Sequence, residues 1–525
     1  MIETMGKRIR AWGGRVRIVR VRAVQKAATV FSALALAAGA FAADALVSGA
    51  LVTGTLLSAA LVTDVQAQGL APASQNVLPR ELAQTWRASK LPDASLSLVV
   101  QEIGGPRLIS INAKEPRNPA SVMKLVTTWV GLSDLGPNYT WHTDLLAEPG
   151  ARVGPDGVLP GPLYLRGGGD PLLLMQDLWT LLRDLRLHGV RQINDLVIDR
   201  TMFGNVAVDP GAFDSAPDRP YNANPDALMV GFGAVRLLFT PDPAARKWNV
   251  IMDPPLPGVK IAGQLEWSDI RCPGSPEIST DPVITQQGVS LRIGGKVAGS
   301  CGEFDVYRLA LGQPEFATEV LRLLWRELGG TFSGRVRTGM VPPDAVPLAT
   351  HESPSLGDII RKINKRSNNV MARTLLLTVG AEGGRRPATV ESSGDVVKRI
   401  LTSQGLNMPE LVVDNGAGLS RTARVSADSL ASMMTVAWNS PFMPEYMSSL
   451  AIAGLDGTVR RRMRGKGTQG MAHLKTGTLN GVRSIAGYVL GVSGKRYIVV
   501  SIVNHPQAES VRAFDDALIA WLADR

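Results

Sequence analysis

Three short patterns in this chain of 525 residues combine hydroxyls, amines and an amide in ways that suit acyl transfer. The first is Ser121-x-x-Lys124, inside the stretch NPASVMKLVTTW. Three residues apart on a helix, a hydroxyl and an amine emerge from neighbouring positions. An amine kept neutral by burial and by a nearby cation can take the hydroxyl proton and leave a nucleophile. The second pattern is Ser367-Asn368-Asn369, and the third is Lys475-Thr476-Gly477, followed by Thr478. A Ser-x-x-Lys spacing arises about once or twice by chance in a chain this long, and alone Lys124 reads as a surface lysine with a snorkelling stem. A Lys-Thr-Gly triplet is expected only on the order of 0.1 times. The ordered set therefore carries the argument, not any single member.

Each residue has a role that its chemistry allows. Ser121 attacks an acyl carbon, and Lys124 is its base. Lys475 supplies a positive charge across the cleft that lowers the affinity of Lys124 for its proton. Ser367 relays the proton to the leaving amine, and Asn369 holds Lys124 and a substrate amide. The backbone N–H groups of Ser121 and Thr478 stabilise the tetrahedral oxyanion. Lys475, Thr476 and the Gly477-Thr478 backbone bind a substrate carboxylate through charge-assisted hydrogen bonds. Arg483 is a second carboxylate candidate, although a solvated strand charge is the simpler reading. The run RRRMRGK, residues 460–466, reads as a solvated loop.

The elements that must position these groups are legible as patterns. Asn118 and Pro119 suit the N-cap and first position of a helix whose stripe is Val122, Leu125, Val126 and Trp129. Ser95–Glu102 and Arg107–Asn112 alternate as strands around Gly104-Gly105-Pro106, a hairpin signal. Ala472–Thr478, Val482–Leu490 and Arg496–Val503 read as a three-strand meander. These strands, remote in sequence, form one antiparallel sheet with helices packed on it. Ser355 caps a helix that ends before Ser367, a second helix starts at Asn369, and a last helix spans Glu509–Trp521.

The spacing adds a domain plan. Ser121 and Ser367 stand 246 residues apart, and the texture between them turns rich in Gly, Pro and short β-like runs. The region from about 140 to 345 is therefore an insertion. The order Ser-x-x-Lys, Ser-x-Asn, Lys-Thr-Gly is that of penicillin-binding proteins and class A β-lactamases. With RNPASVMK, GGGDPLL, RPYNANPDAL, KRSNNVMA, DNGAGLSR, GLDGTVRRR and KTGTLNGVRSIAGYV, the chain resembles a class C low-molecular-mass penicillin-binding protein of the penicillin-binding protein 4 type. The resemblance implies an α/β (α+β) fold: a transpeptidase/β-lactamase-like domain, with an antiparallel sheet covered by helices, interrupted by two largely β inserts. It places a serine DD-peptidase domain at 68–141 and 346–525, one insert at 142–228 and 315–345, and a second at 229–314. It implies a D-alanyl-D-alanine carboxypeptidase/endopeptidase that trims peptidoglycan peptide stems and takes β-lactams as inhibitors. It also implies an insert aspartate near the active site, for which Asp214 is the candidate and Asp218 competes. A β-lactamase is the alternative enzyme, but no Glu-x-x-Leu-Asn loop offers a deacylating carboxylate. A non-catalytic wall-binding protein is the alternative of another class.

Composition limits the remainder. Residues 1–26 carry eight Lys and Arg, and two apolar stretches with small-x-small sites at Ala40-Phe41-Ala42 and Val65-Gln66-Ala67 follow. This reads as an export leader over 1–67, cut after Ala67, and predicts a periplasmic enzyme with loose membrane contact at most. Gly39, Asp44, Gly49 and Gly54 argue against one spanning helix. Without the leader the formal charge falls from +10 to +5, which gives no case for nucleic acid. Cys272 and Cys301 are the only cysteines. In an exported chain they are expected to pair, the alternative being two buried thiols. Five scattered histidines give no zinc spacing, and no Walker or G-x-S-x-G sequence is present, so no metal or cofactor is expected.

Overall fold

The computed structural model, which describes residues 76–285, 288–384, 386–464 and 467–525, contains a six-stranded antiparallel sheet. Its strand order is Ala451–Ile452, Ala472–Leu479, Val482–Leu490, Arg496–Asn504, Leu96–Glu102 and Arg107–Ile111. The hairpin and the meander thus join as the alternation predicts, with Leu98 opposite Ser501 and Lys475 opposite Ala486. The export leader lies outside the described residues.

Successive residues of these strands face two separate cores, as period-two geometry requires. Val99, Ala486, Ile498, Val500 and Ile502 pack under the helices that carry the first two motifs. Leu98, Val100, Ile485, Val499 and Val503 face the terminal helices Arg80–Ala88 and Arg512–Ala523, where Trp86 meets Phe514 edge-on. Both faces are covered, so the central strands are almost wholly buried.

Between Trp141 and Ser353 the chain builds other sheets. A five-stranded mixed sheet has the order Val336–Thr338, Leu196–Asp199, Leu163–Gly167, His142–Ala147 and Val346–Glu352. Its entering and leaving strands, His142–Ala147 and Val346–Glu352, pair with each other. Residues 234–309 hold two three-stranded sheets and a two-stranded ladder. Cys272 and Cys301 in this region are joined as a disulfide.

This region packs against the helix that follows the second motif and against the segment just beyond it. Met202, Phe203 and Ala227 pack with Leu377, Ala381 and Ala388, and Ala223, Met229 and Leu309 pack with Val370. Val370, Leu377 and Ala381 belong to the helix Asn369–Gly383.

Candidate active site

Ser121 does not sit in the first turn of a plain α-helix. Ala120–Met123 form a 3-10 turn that feeds the α-helix Lys124–Leu135. Ala120 is fully buried with a φ of 46°, a conformation that costs a non-glycine residue about 1–2 kcal/mol. Surrounding bonds hold it there. Asn118 Oδ1 accepts from the Ala120 N–H at 2.9 Å, and Asn118 Nδ2 donates to the Ser420 carbonyl at 2.7 Å. Asn118 and Asn504 bond reciprocally at 2.9 and 3.0 Å. Ser484 Oγ donates to the Pro119 carbonyl at 2.6 Å. The expected N-cap, Asn118, therefore fixes a strained turn rather than starting a helix.

Lys124 is fully buried. Its Nζ lies 3.1 Å from Ser121 Oγ, 2.7 Å from Asn369 Oδ1 and 2.6 Å from the Ala417 carbonyl. A neutral amine has two N–H bonds and one lone pair. The two carbonyl-type oxygens take the two N–H bonds, which turns the lone pair toward the Ser121 hydroxyl. Burial holds the Lys124 pKa well below the usual lysine range, and the charges of Lys475 and Arg373 lower it further.

The Ser-x-Asn pattern is a corner between two helices. Ser367 ends Leu356–Arg366 with φ of 56°, and Asn368 caps the next helix by accepting from the Met371 N–H at 3.0 Å. Asn369 is left on the first turn, facing Lys124. Lys475, on the strand Ala472–Leu479, is also fully buried. It donates to Ser367 Oγ at 2.9 Å and to the Thr476 carbonyl at 2.7 Å. Desolvation brings its pKa down to about 7.

Ser121, Ser367, Thr476 and Thr478 open onto one cleft of about 440 Å3, with Thr458 and four arginines completing its wall. Thr476 Oγ1 donates to Thr458 Oγ1 at 2.8 Å. Gly477 lets the strand pass against the serine turn. A Cβ there would stand 2.6 Å from the Pro119 carbonyl and 3.0 Å from the Ser121 nitrogen. Gly418 does the same from the opposite loop, where a Cβ would overlap the Ala120 carbonyl.

Two sequence readings need revision. Arg461 and Arg462, taken as part of a solvated loop, line this cleft, because the 3-10 turn Gly457–Val459 brings the run beside Thr476. Arg483 is not a free strand charge. It pairs with Glu509 and donates to Thr478 Oγ1 at 2.5 Å. Asp214 is exposed and outside the cleft wall, bonded at 2.8 Å to both Tyr221 and Asn222. Its neighbour Phe213 lies under Arg421, 4.7 Å from ring centre to guanidinium, and Arg421 donates to the Asn480 carbonyl beyond the Lys475 strand. Asp218 is buried in an ion pair with Arg308 at 3.0 Å. Sequence reasoning missed Arg373, which is buried one turn beyond Asn369 and donates to the Ala223 carbonyl at 3.1 Å. Its spacing of four from Asn369 was the available signal.

Comparison with known proteins bears on what this geometry belongs to. Residues 78–525 match the D-Ala-D-Ala carboxypeptidase 3 (S13) family. The chain is a member of the S13 peptidase family. It is 30% identical over 447 residues to the D-alanyl-D-alanine carboxypeptidase of Actinomadura sp. (strain R39), covering 81% of this chain and 80% of that relative. It is 26% identical over 438 residues to the D-alanyl-D-alanine carboxypeptidase DacB of Haemophilus influenzae, covering 82% and 89%. The crystal structure of penicillin binding protein 4 (dacB) from Haemophilus influenzae superposes with a TM-score of 0.71 at 23% identity, over 85% of this chain and 99% of that one. The likeness establishes the expected mixed α/β fold. As an S13 member the chain is a peptidase enzyme.

Proposed function

We propose that this S13 peptidase is a serine D-Ala-D-Ala carboxypeptidase and DD-endopeptidase of peptidoglycan peptides, working through an acyl-enzyme on Ser121. The supporting observation is the dry Lys124 amine, with both N–H directions taken and Ser121 Oγ at 3.1 Å. Lys124 accepts the Ser121 proton as Oγ bonds to the penultimate D-alanyl carbonyl carbon. The Ser121 and Thr478 N–H groups receive the oxyanion. Lys475 and Ser367, 2.9 Å apart, deliver a proton to the leaving nitrogen as its bond to carbon breaks. Asn369 orients Lys124 and a substrate amide. Thr476, Gly477 and Thr478 hold the substrate as an added strand edge and bind its carboxylate. Water then hydrolyses the ester and frees Ser121.

The same reading assigns 68–141 and 346–525 to the peptidase domain and 142–228, 315–345 and 229–314 to two inserts. Asp214 is the insert's contribution beside the site, supported by the Phe213–Arg421 contact one residue away. Residues 1–67 direct export to the periplasm, with peripheral membrane contact at most. No helix of the described residues is long and apolar enough to cross a membrane.

Labelled penicillin tests the assignment, since a β-lactam presents a strained amide to the same serine. A solved structure of Haemophilus influenzae penicillin binding protein 4 carries a β-lactam. The expected result is a long-lived adduct on the peptide containing Ser121, absent in Ser121→Ala. Rapid turnover of the label would support a β-lactamase instead, and no labelling a non-catalytic protein.

A further inference from the structure

Five hydroxyl side chains and four arginines make up the wall of the Ser121 cleft, and no carboxylate among the described residues lines it. The arginines come from three separate elements. Arg461 and Arg462 follow the 3-10 turn Gly457–Val459, Arg483 lies on the strand Val482–Leu490, and Arg512 begins the last helix. Two are already engaged. Arg462 makes a forked contact with Asp516 at 2.9 and 2.6 Å, and Arg483 pairs with Glu509. Arg461 and Arg512 are exposed and have no ion pair among the described residues. Arg483 has a lowered pKa, first from burial and then from the charges of Arg462 and Arg512. Cations are thus crowded on one side of the cleft without the anions that would neutralise all of them. Such a wall gives up stability unless an anionic ligand completes it.

The threonine edge at Thr476 and Thr478, with Lys475, suffices for the one carboxylate beside the scissile amide. Four more guanidinium groups exceed that need. A terminal D-alanine leaves with a single carboxylate. A cross-linked stem leaves as an amine that also carries the other carboxylates of its own peptide. We propose that Arg461 and Arg512, on the same cleft wall as Arg462 and Arg483, form a leaving-group subsite for the extra carboxylates of a cross-linked peptide, so that the enzyme favours cutting cross-links over trimming tails. The proposal rests on the peptidase assignment and names the substrate form that the site prefers. Guanidinium is suited to the task, because its planar fork matches a carboxylate with two hydrogen bonds.

The test compares kcat/KM for a purified cross-linked muropeptide dimer and for the uncross-linked pentapeptide, with mass analysis of the products. The wild-type enzyme is expected to prefer the dimer, with the preference falling several-fold between 20 and 300 mM salt. Arg461→Gln with Arg512→Gln should reduce the dimer-to-pentapeptide ratio at least ten-fold, mostly through KM for the dimer. Arg461→Lys with Arg512→Lys should restore part of it, which a purely structural role would not do. A ratio unmoved by the Gln pair and by salt overturns the subsite. Penicillin labelling of the wild-type enzyme separates the two levels. A labelled enzyme with an unmoved ratio removes only the arginine subsite, whereas an unlabelled one removes the peptidase assignment and the subsite with it.

Discussion

Lys124 and Lys475 are two fully buried amines, and each works because burial disfavours its charge. That arrangement costs stability and predicts how stability depends on pH. Lys475 holds its proton up to about pH 7 in the folded chain, against an ordinary lysine value of 10.5. Between those values the unfolded chain binds a proton that the folded chain lacks, so stability rises with pH across the window. Below about 7 both forms are charged and the full cost is present. Lys124 acts in the same direction. Urea unfolding should show wild-type stability rising between pH 7 and 9, with Lys475 contributing up to about 1 kcal/mol per pH unit. Lys475→Met should flatten the rise. An identical slope in the variant would mean that Lys475 is hydrated.

Residues of this kind were readable in the sequence where the chemistry is local. Ser121 and Lys124 are three apart, and Lys475-Thr476-Gly477 is contiguous. Arg461 and Arg462 were not readable, because a basic run looks the same whether it faces water or a cleft. Only the pairing of Ala451–Ile452 with Ala472–Leu479 brings that run beside Thr476.

At the scale of elements, the site is a close approach of three backbones: the serine turn, the Lys475 strand and the loop Asp414–Arg421. Two glycines permit it. Gly477 faces the Pro119 carbonyl and the Ser121 nitrogen, and Gly418, at φ of 73°, faces the Ala120 carbonyl. Gly477→Ala should push the strand from the serine turn by a fraction of an ångström, and misplacement near 1 Å costs about 100-fold in rate. A ten-fold or greater loss in the acylation rate of a chromogenic β-lactam is expected, with the melting temperature lowered by only a few degrees. A variant acylating at the wild-type rate would show that the strand has room to spare. The strands themselves were legible: Leu96–Glu102 and the three meander strands fall close to where the sequence places them. The serine turn was not. Asn118-Pro119 is a helix-start signal, yet Ala120 adopts a left-handed conformation and the α-helix begins only at Lys124. Tertiary bonds from Asn504, Ser420 and Ser484 override the local preference.

At the scale of the whole molecule, the long separation of the first two motifs led to the expectation of an insertion over about 140–345, but said nothing of which element that region packs on. The region docks on Asn369–Gly383, the helix that carries Asn369 and Arg373, through Phe203 and Met202 against Leu377 and Ala381. The disulfide Cys272–Cys301 lies elsewhere, and Cys301 packs in a core cluster that contains no residue of that helix. Two changes should therefore cost comparable stability and differ in activity. Cys272→Ser with Cys301→Ser opens a closure of 29 residues, worth about 3–4 kcal/mol by loop-closure entropy. Phe203→Ala empties a buried aromatic site at a cost of about 3–5 kcal/mol. The cysteine pair should leave the acylation rate within about two-fold of wild type. Phe203→Ala should lower it several-fold, because the helix that aligns Asn369 with Lys124 loses its outer support. Stopped-flow acylation and thermal melts on both variants decide the matter. Equal slowing by both would mean that strain spreads through the insert to the site, and that dock and disulfide belong to one cooperative unit.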